Sequence, residues 1–306
     1  MWPVRRPVVL ALGGANLDVL AHAESLRPRE SNPGRVHLRP GGAARNVAEN
    51  LSRLGARVHL VCAAGQDLLW ERVLAPTRDA GVVVHPVPVG GQPDSYVALA
   101  EDGERAWAVS DMRACEALRS EHLIEALRAC GPVDAVVADA NLTEPVLAAL
   151  VQVLAPRCLL TVSPAKAPRL RGRLQGTWLL ACAAPEAAVL SGLEIRSPQE
   201  ALRAGDRLRG AGCERVVVTL GAQGLVWCGQ EEVFVPSPQV TVADATGAGD
   251  AVAACAVFAL LAGYPDEEAA QLCAWAGALT VQVEGATNPK LSFEVLCELA
   301  GVAFRG

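Results

Sequence analysis

The chain has 306 residues, 51% of them hydrophobic and only 20% charged, enough to bury a large core in one domain or a domain with an appendage, and this excludes a disordered protein. A net charge of −6 with no block of like charge excludes a nucleic acid polymer as partner. Ten cysteines without a C-x-x-C spacing, mostly inside apolar runs such as Val61-Cys62-Ala63, read as reduced buried thiols of a cytoplasmic protein. The five histidines include no pair at helical or zinc-type spacing, so a tightly held transition metal is not expected.

The N-terminal Met1-Trp2-Pro3-Val4-Arg5-Arg6-Pro7 leads into an apolar run too short for a signal sequence or a membrane span. That run, Val8 to Leu12, predicts a strand ending at Gly13-Gly14, and similar runs recur at Val58 to Cys62, Val133 to Val137, Cys158 to Val162, Thr177 to Leu180 and Arg215 to Leu220. Helical patterns lie between them, the signature of a mostly parallel sheet covered on both faces. Ala43 to Leu54 predicts a helix with Val47, Leu51 and Leu54 on its apolar stripe and Gly55 as its stop; its other side carries Arg45, Asn46, Glu49, Asn50 and Arg53.

Two regions break the alternation. Ser25 to Pro40 is polar and ends in the strand-like Gly34 to Leu38, and Val87 to Val109 predicts a hairpin about Glu101-Asp102-Gly103-Glu104. Strands within residues 25–40 and 87–110 could form a small lid over the sheet end where open α/β folds bind ligands; an ordinary surface hairpin fits the pattern equally well. We expect one domain, residues 1–306, with that lid.

Near the C-terminus stands Asp244-Ala245-Thr246-Gly247-Ala248-Gly249-Asp250-Ala251, followed by an uncharged segment to Tyr264 that predicts a buried helix. Gly247, Ala248 and Gly249 are too small to obstruct a ligand and leave N–H groups unpaired at the helix start, where negative charge is favoured. Asp250, kept ionised by the same dipole, could then accept a proton from an alcohol. A glycine-rich turn with a helix-terminal acid accounts for the same residues.

Paired with Pro40-Gly41-Gly42-Ala43-Ala44-Arg45-Asn46-Val47-Ala48-Glu49-Asn50 upstream, this segment resembles the two signatures of the ribokinase (PfkB-type) carbohydrate kinases. Gly14-Ala15-Asn16-Leu17-Asp18 and Thr219-Leu220-Gly221-Ala222-Gln223-Gly224 fall in the family's order between and around them, so the resemblance spans nearly the whole chain. Arg45 before Asn46, Asn32-Pro33-Gly34, Asp111-Met112, Val162-Ser163-x-x-Lys166 and Asn288-Pro289-x-Leu291-Ser292 are most similar to the pseudouridine kinases of that family.

The resemblance implies a ribokinase-like three-layer α/β/α sandwich and ATP-dependent phosphorylation of the 5′-hydroxyl of a ribonucleoside, pseudouridine first. Asp250 would be the base; Gly247, Ala248 and Gly249 would hold the phosphoryl charge; Asn16, Asp18, Gly41, Gly42, Arg45 and Asn46 would bind the substrate. Lys166, Thr219, Gly221 and Gly224 would line the nucleotide site. Glu186 would order Mg²⁺ through water, and Asp244 and Thr246, with carbonyls from the loop near Gly285 to Asn288, would hold a monovalent cation such as K⁺. Ser95, Tyr96 and Asp111 are candidates for base recognition, and a homodimer through the lid is implied.

The chain departs from the family pattern on the metal side. Ala183-Ala184-Pro185-Glu186 keeps the glutamate but lacks the usual asparagine, and Leu160-Thr161 stands where Asp-Pro is usual. Neither Leu160 nor Ala183 carries a side-chain oxygen. Two readings follow, an active kinase with weakened or rearranged Mg²⁺ handling and a catalytically quiet nucleoside-binding module; a kinase for ribose, adenosine or another sugar is a third.

Overall fold

In the computed structural model, residues 5–101, 104–150, 153 and 156–305 are described; Met1 to Val4 and the expected turn residues Asp102 and Gly103 lie outside them. The apolar runs become a nine-stranded sheet. Its strands are β1 (Val8–Leu12), β4 (Arg57–Ala64), β5 (Val83–Pro88), β8 (Ala135–Asp139), β9 (Arg157–Leu160), β10 (Thr177–Ala183), β11 (Cys213–Thr219), β12 (Leu225–Cys228) and β13 (Glu232–Val235). Their order is β13-β12-β11-β10-β9-β8-β1-β4-β5. All neighbours are parallel except the antiparallel pairs β11–β12 and β12–β13, a turn-back at one edge that the apolar runs did not reveal.

Both faces are covered because successive side chains of a buried strand point to opposite sides. In β1, Val9 and Ala11 join a core with helices α1 (Ala43–Leu54), α2 (Leu68–Asp79), α7 (Ala248–Leu261), α8 (Asp266–Thr280) and α9 (Phe293–Ala300). Leu10 and Leu12 join a second core with α3 (Ser120–Cys130), α4 (Glu144–Ala149), α5 (Ala184–Ser191) and α6 (Pro198–Gly210). The result is three layers. Among the described residues no helix is long and apolar enough to cross a membrane.

The helix α1 has the predicted bounds, and Gly55 closes it in the left-handed conformation (φ 108°) with its N–H on Leu51 and Ser52 carbonyls. Its polar side is not solvated, however: Arg45, Asn46, Glu49 and Asn50 are all buried. Arg45 and Glu49 pair with each other, so the charged face can turn inward against α7, where the site lies. The helix α7 is buried at every position from Ala251 to Ala259, as an uncharged segment requires.

A second sheet has four strands in the order β3-β2-β6-β7, with β2 (Asn16–Ala23), β3 (Arg35–Gly41), β6 (Asp94–Glu101) and β7 (Glu104–Asp111). Its bounds differ from those expected. β2 begins at Asn16, directly after the β1 turn, residues 24–34 form a loop, and Val87 belongs to β5 of the large sheet instead of the hairpin. Asn16 and Asp18 therefore sit on a strand.

Candidate active site

The site forms where the carboxyl ends of β1 and β8 meet the start of α1. The turn after β1 has Gly13 at φ 147°, and a side chain there would collide with Asp139. Asp139, fully buried at the end of β8, accepts hydrogen bonds from the N–H groups of Gly14 (2.9 Å), Ala44 (3.1 Å) and Asn141 (2.9 Å). One carboxylate thus ties the β1 turn to the first turn of α1, and burial pushes its carboxyl above the usual range. Sequence reasoning missed Asp139; its signal was an acid closing the apolar run Ala135-Val136-Val137-Ala138. Gly42 (φ 102°) packs on the Gly14 carbonyl, and Gly41 lies against the Asp18 carboxylate, so a Cβ at either position would clash.

Asn16 and Asp18 are buried on β2, with Asn16 Nδ2 donating to Asp18 Oδ1 at 2.5 Å. The second Asp18 oxygen has no partner among the described residues, leaving it for a ligand hydroxyl. Burial pushes the Asp18 carboxyl up to about 7, against the lowering effect of Arg45 and Asn16 and with a further raise from Asp244. Arg45 donates to Thr77 Oγ1 (3.0 Å), the Pro40 carbonyl (3.4 Å) and Asn46 Oδ1 (2.9 Å), and forms an ion pair with Glu49. Glu49 also accepts from Arg53 (2.7 Å) and Thr287 (2.8 Å). Arg45 is thus wholly engaged within the chain and orients Asn46. Asn46 Nδ2 in turn donates to Asp250 Oδ2 at 2.8 Å, joining two segments 204 positions apart.

At the other end, Gly247 adopts a left-handed conformation (φ 77°) against Ala286, and α7 starts at Ala248 without a side-chain cap. The N–H groups of Ala248, Gly249 and Asp250 have no partner among the described residues, and a Cβ on Gly249 would meet open space. Such a helix start receives an anion. Asp250 itself overturns one expectation: burial pushes its carboxyl up to about 7, with Asn46 lowering it and Asp139 and Asp18 raising it. Desolvation and two nearby acids thus work against the ionised form that the helix start was expected to favour.

Glu186, at the start of α5, lines the same cleft as Asp250, with Leu160, Thr161, Ala183, Thr219 and Gly249 among the other walls. Its Oε2 accepts from Thr161 Oγ1 and the Ala183 N–H, both at 2.6 Å. Thr161 was noted only as part of a departure; here its hydroxyl fixes Glu186. One oxygen of Glu186 and one of Asp250 remain for an ion, which suits Mg²⁺, a cation that keeps several waters and takes one or two carboxylates plus phosphate. The residues present fit that ion.

They do not fit a monovalent cation at Asp244. Its Oδ1 accepts from the Thr246 N–H (2.9 Å), and its Oδ2 from the Gly285 N–H (3.0 Å) and Arg39 Nη1 (3.3 Å). Burial works against the Asp244 carboxylate, yet these donors hold it below its ordinary value. A guanidinium already bonds one oxygen of that carboxylate.

Thr219 ends β11, and Gly221 (φ 60°) and Gly224 (φ 115°) bracket the turn into β12, Gly224 pressed against the backbone around Val235. Lys166 is not among the walls of the Asp250 cleft; its ammonium bonds Glu116 at 3.0 Å, beside Arg169. Of the base-recognition candidates, Tyr96 pairs in register with Asp18 and so shares its face of the small sheet, whereas Ser95 and Asp111 pair with each other on the opposite face. Asp111 is bound by Arg113 at 2.5 Å. Asn32 and Asn288, singled out in the sequence, bond neighbouring backbone: Asn32 holds its loop through Arg27 and Glu30, and buried Asn288 donates to the Leu279 carbonyl at 2.6 Å.

Residues 7–292 match the family described as pfkB family carbohydrate kinase. The chain is similar to the pseudouridine kinase of Escherichia coli (strain K12), 30% identical over 292 residues, covering 93% of each chain. Among solved structures it is similar to a carbohydrate kinase from Agrobacterium tumefaciens (33% identity, TM-score 0.82, 97% of each chain covered). Arabidopsis thaliana ribokinase complexed with ribose and ATP has the same fold at 21% identity (TM-score 0.81, covering 99% of this chain and 100% of that one). With a match over nearly its whole length and a ribokinase-like three-layer fold, the chain belongs to the pfkB family of carbohydrate kinases.

Proposed function

We propose that the protein transfers the γ-phosphoryl group of ATP to the 5′-hydroxyl of a ribonucleoside, with pseudouridine as its preferred acceptor. The observation that carries this reading is the Asn46 to Asp250 hydrogen bond, which sets a sugar-binding helix start beside a carboxylate and an unpaired helix N-terminus. Similarity to a pseudouridine kinase and the Arg45-Asn46 form of the first signature support the choice of acceptor.

Asp18, Asn16 and Asn46 hold the ribose hydroxyls, Asp accepting and Asn both donating and accepting. Asp250, titrating near 7, takes the proton of the 5′-hydroxyl as its oxygen forms a bond to the γ-phosphorus and the bond to ADP breaks. The N–H groups at Gly247, Ala248 and Gly249 meet the charge of the transferring group, the positioning and electrostatics that phosphoryl transfer depends on. Thr219, Gly221 and Gly224 line the nucleotide end, whereas Lys166 stays bonded to Glu116 outside the Asp250 cleft. Glu186 would hold Mg²⁺ through water, and the ion would supply neutralisation of the nucleotide phosphates. Tyr96 lies on the side of the small sheet from which a base can be reached.

A second reading, a nucleoside-binding module without turnover, is favoured by one observation: Ala183 and Leu160 offer no oxygen at the metal side. A transfer assay with pseudouridine and Mg-ATP, with Asp250→Asn as background, separates the two. Transfer well above that background supports the kinase. Nucleoside binding without transfer supports the quiet module, and ribose or adenosine winning in direct competition overturns the acceptor.

The homodimer reading rests on the outer face of the small sheet. Val36 (65% exposed), Leu38, Val97, Leu99, Trp107 (70%) and Val109 (69%) alternate onto one face in register across its strands, more contiguous apolar surface than scattered exposed residues give. Two copies pairing these faces would cover it. Sedimentation of the Trp107→Glu variant as a monomer against a wild-type dimer is the expected result; a monomeric wild type overturns it.

A further inference from the structure

Three side chains far apart in sequence meet at the far half of the large sheet, away from the carboxyl ends that carry the active site. His59 is the third residue of β4 and His85 the third of β5, on adjacent parallel strands whose register pairs His59 with Val83 and Val61 with His85. Both therefore point to the same face, the one on which α3 packs, and Cys130 is the last residue of that helix. His59 Nδ1 lies 2.8 Å from His85 Nε2, and Cys130 Sγ lies 3.6 Å from the same nitrogen. One ligand atom from each residue falls within 4.8 Å of those of the other two.

We infer that His59, His85 and Cys130 form a site for a borderline-to-soft divalent cation of the zinc class, three protein ligands with a fourth position open to water. Two imidazoles and a thiolate are the donor set such ions select over Mg²⁺ or Ca²⁺. Two of the three edges are close to those of a bound ion: with metal–nitrogen bonds of about 2.0 Å and metal–sulfur of about 2.3 Å, tetrahedral ligands stand roughly 3.3 Å (N to N) and 3.5 Å (N to S) apart, and the third edge, His59 to Cys130, lies within 4.8 Å. The imidazole pair needs to open by only about half an ångström to admit an ion.

The buried His59 Nε2 has no hydrogen-bond partner, so the second ring nitrogen does not fix which tautomer His59 adopts. Its Nδ1 can therefore present a lone pair to the ion with Nε2 carrying the hydrogen. His59 is only 4% exposed, whereas His85 and Cys130 are half-buried, which gives the ion an entry path from one side. Burial lowers both imidazoles from their ordinary value, and the neighbouring Arg57 adds to this at His59, so both are neutral and ready to ligate at neutral pH. Burial raises the Cys130 thiol. Binding accordingly forms the sulfur–metal bond as the thiol proton leaves to solvent. The ion would tie the edge strand β5 and the end of α3 to β4. None of the three residues belongs to the phosphoryl-transfer machinery, and no pairwise spacing in the sequence signals them.

The test is titration of the metal-free full chain with Zn²⁺ by calorimetry and thermal shift, with Co²⁺ as a spectroscopic stand-in. Expected are one ion per chain, a raised melting temperature as mass action requires, and a thiolate-to-cobalt charge-transfer band. Cys130→Ser removes that band and weakens Zn²⁺ binding by more than about tenfold. His85→Gln does the same to affinity, while His22→Gln on the small sheet leaves both unchanged. A wild-type chain that shows no charge-transfer band, or a stoichiometry that survives Cys130→Ser and His85→Gln, overturns the site. The cobalt spectrum of the unmutated chain keeps the test decisive even where a variant folds poorly.

Discussion

At the end of the cleft built by α1 and the small sheet, the charged side chains Arg45, Glu49 and Asp139 are bonded within the protein and one Asp18 oxygen is left over; at the end built by α5 and the start of α7, backbone donors and one oxygen each of Glu186 and Asp250 stand open. Arg45 spends its donors on Thr77, Pro40, Asn46 and Glu49, and Asp139 accepts three N–H groups. Ala248 and Gly249 present N–H groups to the cleft with no partner among the described residues. The contrast follows from what each end meets. A sugar needs a few directional groups held still, so their supports are bonded inside the chain. A phosphoryl group brings its own charge and metal, so donors aimed at an empty space suffice.

Breaking the open end should cost the most. Asp250→Asn keeps the hydrogen bond from Asn46 but removes the base, and turnover should fall by on the order of 10³-fold in a steady-state assay with pseudouridine and Mg-ATP. Nucleoside affinity, measured separately by calorimetry, should change little. A variant with near wild-type turnover would remove Asp250 from the chemistry.

Breaking the paired end should be felt first as lost stability. Arg45→Ala leaves Glu49 buried with only Arg53 and Thr287 as partners, and the cost should be about 3 kcal/mol, the low end for breaking a buried ion pair. Denaturant unfolding measures it directly. A loss no larger than that of an exposed pair such as Arg78 with Glu71 would show that the network is not what holds α1 against the site.

The sequence made the ends unequally legible. The helix α1 was readable to the residue because its apolar period and Gly55 are local signals; the buried helix α7 was readable as an element, but it ends at Leu261, three residues before the end of the uncharged run at Tyr264. The role of Asp139 was not, since an acid after an apolar strand gains meaning only when Gly14 and Ala44 converge on it from elsewhere in the chain. Thr161 was legible only as a departure from a pattern, and its hydrogen bond to Glu186 spans 25 positions. β2 was missed because Asn16-Leu17-Asp18-Val19 follows β1 after a three-residue turn, and only the pairing with β3 and β6 places it at the centre of the small sheet. The titration of Asp250 was misjudged because the helix dipole is visible in sequence, whereas desolvation and the approach of Asp139 and Asp18 are not.

That misjudgement yields a pH signature. With Asp250 at about 7, kcat/KM should rise about tenfold per unit below pH 7 and level off above it. Stability should run the other way. Asp18 and Asp250 have folded values raised to about 7 from 3.8, so the folded chain retains protons that the unfolded chain releases. The resulting stabilisation is present below pH 3.8 and is lost as the pH rises through about 7. Asp250→Asn, lacking that ionisation, should melt above the wild type at pH 8. A flat rate profile between pH 6 and 8, or a variant that melts lower, would contradict a base held near 7 by burial.

The smallest expected effect is a null one, at the loop behind the phosphoryl end. Arg39 reaches from β3 of the small sheet to Asp244 at 3.3 Å and to Glu284 at 2.6 Å, so one guanidinium is shared between the two carboxylates. A monovalent cation brought to the same carboxylate would meet that fixed charge at short range, and no Asp244 oxygen is left without a donor. Replacing K⁺ by tetramethylammonium at constant ionic strength should therefore leave turnover unchanged. Arg39→Ala reopens the position, and its turnover should become dependent on K⁺. Strong K⁺ activation of the unmutated chain would mean that Arg39 swings away from Asp244 during the reaction, and that the small sheet and the loop of Glu284 are less firmly joined than their ion pairs indicate.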